Sequence, residues 1–380
     1  MNTHIFGGPG KSTLLINQCL DALRDGGALF VDPDGAAADR LLSLCPKRPV
    51  LVIDPTDVSY PVGFNVLFDV RNKPLMASLL LSTVKAIWRY DRIATPVLDR
   101  TLYNSLAALL DYPGATLLHI EPMLTDKPFR ERVLDHVSDP VLLRRWAYWS
   151  RKKEKDWDQL IASTENKAGE FSEDPRIRNI VGQSTTTFDL RRLMFDRALI
   201  VLRLPHGSLG QKTTMFGSLF LAYLLSVVSE RRGIFPFHVF IDDVEHFDTP
   251  VVRQLLADGA RHNVHVTAAN QYLAQLSEEL RSALIGTSER RIMFRCGIED
   301  SVFLHRTLPE DNTRPKLHQL GLYEAMLFKG ENSSRIETIK TKSLPRGSQK
   351  QRNLLVRQSR RSYGRDGGRV EEAVARIVGE

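Results

Sequence analysis

The chain has 380 residues, of which 42% are hydrophobic and 26% are charged, enough to bury a substantial core in two or three domains. Its three cysteines are far apart and lack metal-ligand spacing, which argues against a disulfide framework and favours a reducing cytoplasm. The formal net charge of +7 favours a polyanionic partner, although the surplus is concentrated near the C-terminus.

The sequence carries no visible signal peptide, since its first motif begins almost at Met1. The longest apolar run lies at residues 215–228 and is too short to span a bilayer, so it predicts a buried helix. We therefore expect a cytoplasmic protein with no transmembrane segment in this chain.

The first motif is a glycine-rich turn, GGPGKST at residues 7–13, between a short apolar strand and an apolar helix. Backbone N–H groups of such a turn surround nucleotide phosphates, and the helix N-terminus adds partial positive charge. Lys11 would reach the β- and γ-phosphates of ATP, and the Ser12 hydroxyl would hold Mg²⁺. The candidate nucleotide contacts are Gly8, Gly10, Lys11, Ser12 and Thr13.

The motif departs from the usual spacing G-x-x-x-x-G-K-[ST]. Counting back from Gly10, the first glycine should stand at position 5, where the chain has Ile5. Either Ile5 replaces that glycine, or the loop is about two residues short. The alternative interpretation is a Gly/Pro turn that caps a helix at Ser12.

Short apolar strands alternate with helices in two stretches of the chain, which predicts an α/β fold with a mostly parallel sheet. In the first stretch we predict helices at 11–24 and 36–45 and strands at 28–31 and 50–53. In the second we predict strands at 198–204, 237–241, 264–269 and 291–294, helices at 210–230, 249–262 and 277–284, and paired edge strands at 323–328 and 336–340.

Between these stretches the apolar residues recur at helical spacing, in segments 75–90, 96–110, 128–137 and 141–149. The predicted domains are the first part of a nucleotide-binding domain at 1–72, an all-α insertion at 73–174, the second part of the nucleotide-binding domain at 175–342, and a tail at 343–380. The tail is basic and predicted to be largely disordered, with a short amphipathic helix at 370–378.

Three tryptophans of the insertion, Trp146, Trp149 and Trp157, lie among six arginines and lysines. Basic residues interleaved with aromatic ones could touch nucleic acid. The alternative is a helix with an apolar stripe and a solvated basic face.

A second strong signal is the buried strand FHVFI at 237–241, which is followed by two aspartates. Such a strand delivers carboxylates to the sheet edge where open α/β folds bind ligands. Asp242 is placed to hold Mg²⁺, and Asp243 to polarise the attacking water. Most ATPases of this type carry Glu in place of Asp243. Glu245 is a possible substitute, although we expect its side chain to point elsewhere.

Three further residues are candidates for sensing or stabilising the γ-phosphate. Gln271 ends the strand at 264–269, where an amide can hold water or form a turn. Arg261 precedes that strand and Arg295 ends the next one. Either arginine could cap an element or reach a neighbour's γ-phosphate as an arginine finger, and Arg261 is the preferred finger.

Taken together these segments resemble the HerA–FtsK superfamily of ring ATPases, within the TraD/TraG-like conjugative coupling branch of type IV secretion. The resemblance covers most of residues 1–345 and includes the segments 4–15, 32–35, 54–65, 113–118, 174–183, 189–191, 241–247, 269–272 and 294–297. It implies a RecA-like P-loop core with an inserted all-α domain. It also implies a homo-hexamer around DNA, with ATP and Mg²⁺ between subunits and a secretion or conjugation apparatus as partner.

The resemblance implies phosphate-loop roles for Gly10, Lys11 and Ser12, the metal role for Asp242, a trans-acting role for Arg261 and sensing by Gln271. The leading hypothesis is a DNA-translocating ATPase. Because the loop is irregular and Asp243 replaces Glu, the alternative is a non-hydrolysing relative that acts as a DNA-binding or assembly subunit. A third interpretation is a secretion motor that moves protein.

Overall fold

The computed structural model describes residues 1–90, 94–308, 316–330 and 336–379. The strands in these ranges are β1 (Thr3–Phe6), β2 (Gly27–Asp32), β3 (Val50–Ile53), β4 (Leu199–Arg203), β5 (Phe237–Ile241), β6 (Val264–Asn270), β7 (Arg290–Phe294), β8 (Glu324–Lys329) and β9 (Ile336–Lys340).

The α-helices in the same ranges are α1 (Lys11–Ala22), α2 (Ala36–Leu44), α3 (Lys73–Ile87), α4 (Pro96–Leu109), α5 (Ile120–Thr125), α6 (Lys127–Leu134), α7 (Pro140–Trp149), α8 (Glu154–Ala168), α9 (Pro175–Val181), α10 (Leu190–Phe195), α11 (His206–Leu209), α12 (Lys212–Ser229), α13 (Pro250–Asp258), α14 (Glu278–Thr287), α15 (Ile298–His305), α16 (Gln349–Tyr363) and α17 (Gly367–Gly379).

The described strands form one sheet in the order β3-β4-β2-β5-β6-β1-β7-β8-β9. The strands from β3 to β7 in this order are parallel, and β8 and β9 are antiparallel additions at one edge. Every residue of β2 is buried, as expected for a parallel strand covered on both faces. The predicted α/β fold, with its RecA-like and mostly parallel sheet, is therefore confirmed.

Hydrophobic runs predicted the strands better than helix ends. The strands predicted at 50–53, 237–241 and 336–340 have the bounds found in the structure. The four helices predicted between residues 75 and 149 are present as α3, α4, α6 and α7, with ends that differ by up to three residues. Helices α8, α9, α10 and α15 were not predicted.

The motif at residues 32–35 is explained by the start of α2. The Asp32 carboxylate accepts N–H bonds from Asp34 at 2.9 Å and Ala38 at 2.6 Å. Gly35 has a φ of +91°, which favours glycine. Asp32 therefore caps a helix.

The chain divides into two compact units. The first comprises Met1–Ile53, Leu190–Gly217 and Val227–Ser359 and contains the whole sheet. The second comprises Asp54–Asp189, Ser218–Ser226 and Arg360–Glu380. It is wider than the predicted insertion at 73–174 because residues 63–65 are tied to residues 186–187. The Gly63 N–H donates to Thr187 Oγ1 at 3.1 Å, and the Asn65 N–H donates to Thr186 Oγ1 at 3.0 Å.

The tryptophans of the second unit are core residues. Trp146 and Trp149 are buried and meet edge to face, with ring centroids 5.1 Å apart. Trp157 Nε1 donates to the Leu124 carbonyl at 3.1 Å, and the Arg130 guanidinium lies 4.3 Å from its ring centroid. The structure thus supports an apolar stripe with a solvated basic face, since most neighbouring basic residues are exposed.

The prediction that residues 343–380 are largely disordered is wrong. Helices α16 and α17 occupy most of this segment, and only the predicted helix at 370–378 is confirmed, as part of α17. Buried apolar side chains anchor the two helices, each within its own unit: Leu355 of α16 and Val374 of α17. The high content of arginine, serine and glycine concealed these few anchors.

Helix α12 contains the apolar run that the sequence analysis considered too short to cross a membrane. Among the described residues it is the one helix with the length and hydropathy of a membrane span. However, 83% of its 18-residue window is buried inside the protein.

Candidate functional site

Only four residues, 7–10, connect β1 to α1. Gly7 has a φ of +83°, and a Cβ there would lie 2.9 Å from the Arg295 carbonyl oxygen. Gly10 has a φ of +124°, and its Cβ would lie 2.6 Å from the Phe294 ring. Both glycines are therefore required by backbone conformation and by the close approach of β7.

The structure resolves the irregular spacing as a short loop. Ile5 is fully buried in β1, where it pairs with Ala269 of β6 and Ile292 of β7, so it does not contribute to the loop. The Gly7 N–H donates to the Asn270 carbonyl at 3.1 Å. The Gly8 N–H, a predicted nucleotide contact, donates to the Arg295 carbonyl at 3.2 Å. Both bonds would have to break before these N–H groups could bind a phosphate.

The start of α1 offers further donors. The helical hydrogen bonds begin with Leu14 N–H to the Gly10 carbonyl at 2.9 Å, so the N–H groups of Lys11, Ser12 and Thr13 have no acceptor within the helix. Within the described part of the chain, no side chain caps this helix. These N–H groups and the helix dipole form a site for an anion.

The structure brings this helix start together with the two aspartates after β5. Ser12 Oγ donates to Asp242 Oδ2 at 2.8 Å. Lys11 Nζ lies 3.3 Å from Asp242 Oδ1 and forms a short contact with Asp243 Oδ1. Burial lowers the pKa of Lys11, but the two carboxylates outweigh this effect and the net pKa is raised. The predicted loop and aspartate residues thus form one cluster at the carboxyl edge of the sheet.

Burial dominates the chemistry of the carboxylates. It raises the pKa of Asp242, an effect that the nearby Lys11 only partly offsets. Asp243 has a φ of +43°, an uncommon conformation for a residue other than glycine and a mark of a constrained site.

Sequence analysis misjudged Glu245, which we expected to point away. Burial raises its pKa to about 7, and its charge interacts with Lys11, Asp242 and Asp243. Its Oε2 atom is buried and has no hydrogen-bond partner. The short spacing from Asp242 to Glu245 was the available signal, and the turn at Val244–Phe247 returns the side chain to the site.

The donor set fits a magnesium ion. Asp242, Asp243 and Glu245 face a single cation, Lys11, so the cluster carries excess negative charge when the carboxyl groups are ionised. Ser12 Oγ and Asp242 Oδ2 lie side by side and are hard oxygen ligands of the kind that Mg²⁺ prefers. These two atoms are the residues present that could hold the ion.

The amides that follow β6 have different environments. Asn270 is fully buried, accepts a bond at 2.7 Å from His4 Nε2, and donates to the Tyr272 carbonyl at 2.9 Å. Gln271 is exposed. Asn270 therefore fixes the turn, whereas Gln271 is free to meet a ligand.

The candidate arginines lie at opposite edges of the sheet. Arg295 follows the carboxyl end of β7, beside the loop, and is exposed. Arg261 precedes β6 and so lies at the amino edge, where its side chain is 79% exposed and pairs with Asp258 at 3.0 Å. The structure does not bring Arg261 to Lys11 within one chain.

This architecture matches solved structures of conjugation proteins. The unbound form of the bacterial conjugative coupling protein TrwBdeltaN70 superimposes with a TM-score of 0.64 at 13% identity, covering 91% of this chain and 85% of that one. VirB4 of Thermoanaerobacter pseudethanolicus matches with a TM-score of 0.61 at 15% identity, covering 90% of each chain. The chain has the fold of TrwB and VirB4.

TrwB has also been solved with bound nucleotide. Its complex with the ATP analogue ADPNP matches this chain with a TM-score of 0.63 at 12% identity, over 92% of this chain and 86% of that one. Its complex with ADP and Mg²⁺ matches with a TM-score of 0.60 at 13% identity, over 92% and 87%. No protein-family model and no curated protein matches the sequence.

Proposed function

We propose that this protein is an ATPase that binds ATP and Mg²⁺ at the cluster of Lys11, Ser12, Asp242 and Asp243. In this proposal, hydrolysis between the subunits of a homo-hexameric ring moves DNA in a conjugation or type IV secretion apparatus. The observation that carries the proposal is the 2.8 Å contact between Ser12 and Asp242 at the start of an uncapped helix. The shared fold with TrwB, which binds ADPNP and ADP with Mg²⁺, supports it.

The residues of the cluster divide the work. The N–H groups of residues 10–13 would hold the phosphates, and Lys11 would leave its aspartates for the β- and γ-phosphate oxygens. Ser12 and Asp242 would hold Mg²⁺, which neutralises phosphate charge when bound. Asp243 or Glu245 would accept the proton of the attacking water, with Gln271 orienting that water.

DNA is the proposed substrate because the chain has a net charge of +7 and shares its fold with a conjugative coupling protein. Contacts between lysine or arginine and the phosphate backbone do not depend on sequence and weaken steeply with salt. DNA binding that falls by a factor of ten or more between 50 and 200 mM salt would support this choice. Binding that is absent at low salt would favour a protein substrate instead.

The experiment that tests hydrolysis is phosphate release from ATP by the purified protein, with and without DNA. We expect DNA-stimulated release by the wild type and a loss of at least 100-fold in Lys11→Ala, because the substitution removes the cation at the β- and γ-phosphates. Release that does not exceed that of the Lys11→Ala control contradicts the proposal.

A second candidate is a relative that binds nucleotide without hydrolysing it. The specific observation in its favour is that Gly7 and Gly8 donate their N–H groups to β6 and β7 carbonyls. Each lost charge-assisted bond to phosphate costs roughly 1.5–3 kcal/mol. Nucleotide binding that depends on Lys11, with no turnover, would favour this candidate.

A further inference from the structure

A cavity of about 760 Å³ opens beside Ser12 and Asp242 in the first unit. The first turns of α1 and the start of α2 form one side of it. The other side comes from Tyr323, before β8, and from the segment that follows β9, residues 341–344. Neither the phosphate site nor the metal site uses these walls.

The segment after β9, here called the strap (residues 341–348), is held at both ends. The Thr341 N–H donates to the Tyr323 carbonyl at 2.9 Å, and the Ser348 N–H donates to the Ser43 carbonyl at 3.0 Å. Between them, Asn17 Nδ2 donates to the Lys342 carbonyl at 2.9 Å. The cavity wall is therefore built into the fold before any ligand arrives.

The chemistry changes from one end of the cavity to the other. Ser12, Asp242 and Asp243 line the end that meets the phosphate site. Away from it the walls include the apolar side chains of Ile16, Ala37 and Leu344, with the Tyr323 ring and the cations Arg40 and Lys340. An apolar body with a few polar groups is typical of pockets for small organic ligands, and the volume lies within their usual range.

Tyr323 is held in an uncommon backbone conformation. Its φ is +63°, and its side chain is 47% exposed at the cavity wall. An aromatic residue that is kept in a left-handed conformation at the edge of a pocket is a constrained position of the kind found at ligand sites.

We propose that this cavity binds the nucleoside, the base and ribose, of the nucleotide whose phosphates lie on residues 10–13. The proposal rests on the proposed function. The phosphates are continuous with the cavity because Ser12 and Thr13 belong to both. The apolar wall of Ile16, Ala37 and Leu344 would cover the base, and the strap would make binding depend on the nucleoside as well as on the phosphates.

The test compares ATP with inorganic tripolyphosphate, which has the phosphates but no nucleoside, by calorimetric titration in the presence of Mg²⁺. We expect the wild type to bind ATP at least tenfold more tightly than tripolyphosphate. Ala36→Trp places a large side chain at an exposed position that lines the cavity. It should weaken ATP binding at least tenfold and change tripolyphosphate binding less than twofold.

Lys342→Trp is the matched control, since Lys342 belongs to the same strap, is exposed and does not line the cavity. It should leave both affinities within twofold. Tyr323→Ala, which removes a wall without adding bulk, should weaken ATP alone by three- to tenfold and serves if Ala36→Trp does not fold.

Equal binding of ATP and tripolyphosphate by the wild type would overturn the nucleoside site and leave the proposed function standing. The same conclusion follows if Ala36→Trp and Tyr323→Ala each weaken both ligands equally or neither. If the wild type binds neither ligand, the proposed function fails, and this inference fails with it.

Discussion

Gly10 is the residue on which the phosphate loop turns into α1. Its φ of +124° and its approach to Phe294 leave no room for a Cβ. We expect Gly10→Ala to lower the free energy of unfolding by about 1–3 kcal/mol and to weaken ATP binding, because the helix start must move. Urea unfolding measures the first effect. Gly8→Ala is the control, since a Cβ there meets nothing within 4 Å, and its free energy of unfolding should stay within about 0.5 kcal/mol of the wild type.

Glu245 gives the site a dependence on pH. Its pKa is raised from 4.5 to about 7 by burial, so its charged form is disfavoured in the folded protein. Its contribution to stability is present in full below pH 4.5 and is lost as pH rises through 7. We expect Glu245→Gln to be more stable than the wild type at pH 8, by up to about 3 kcal/mol, and similar at pH 4.5. Urea unfolding at both pH values tests this, and an equal difference at each pH would contradict it.

Sequence could place Lys11, Ser12 and Asp242 in one site because each stands at a fixed offset from a strand end. It could not show that the Gly7 and Gly8 N–H groups are bound to neighbouring carbonyls, since that depends on how close β6 and β7 approach the loop. The position of Glu245 was missed for a similar reason, because it depends on the direction of a turn.

At the scale of elements, α16 covers the edge strand β3. Ser359 is buried, and its Oγ accepts the Val52 N–H at 2.8 Å. The helix thereby satisfies a backbone donor that the edge of the sheet would otherwise leave unpaired. Arg352 supports the same helix through an ion pair with Asp39 at 2.7 Å.

We expect Ser359→Ala to lower the free energy of unfolding by about 1–3 kcal/mol, because it leaves the Val52 N–H buried without an acceptor. Ser362→Ala is the matched control on the same helix, as Ser362 is exposed, and should change stability by less than about 0.5 kcal/mol. Chemical denaturation of both variants decides the matter. Equal stabilities would mean that water replaces the Ser359 hydroxyl.

The elements that sequence predicted best are those with a single dominant signal. A run such as Phe237–Ile241 can only be a buried strand in this setting. Helix α16 lacks such a signal, because its sequence is mostly polar and basic and its stability comes from a few contacts to distant residues such as Asp39 and Val52. Tertiary contacts of this kind leave no local pattern.

At the scale of the whole molecule, the position of Arg261 decides how the site can be completed. Lys11 lies at the carboxyl edge of the sheet and Arg261 at the amino edge, separated by the seven residues of β6. A strand of that length spans about 20 Å. Arg261 can therefore act on a bound nucleotide only if it comes from another subunit, which agrees with the proposed ring.

This arrangement predicts that two inactive variants complement each other. Arg261→Ala should bind ATP like the wild type but lose at least 100-fold in turnover, as expected for a missing arginine finger. Mixed with Lys11→Ala, it should regain measurable phosphate release, because some interfaces then combine an intact Lys11 with an intact Arg261. The double variant, mixed with Lys11→Ala, supplies neither group and should regain nothing. Wild-type turnover by Arg261→Ala alone would contradict a role in trans, and the same recovery in both mixtures would show that complementation does not depend on Arg261.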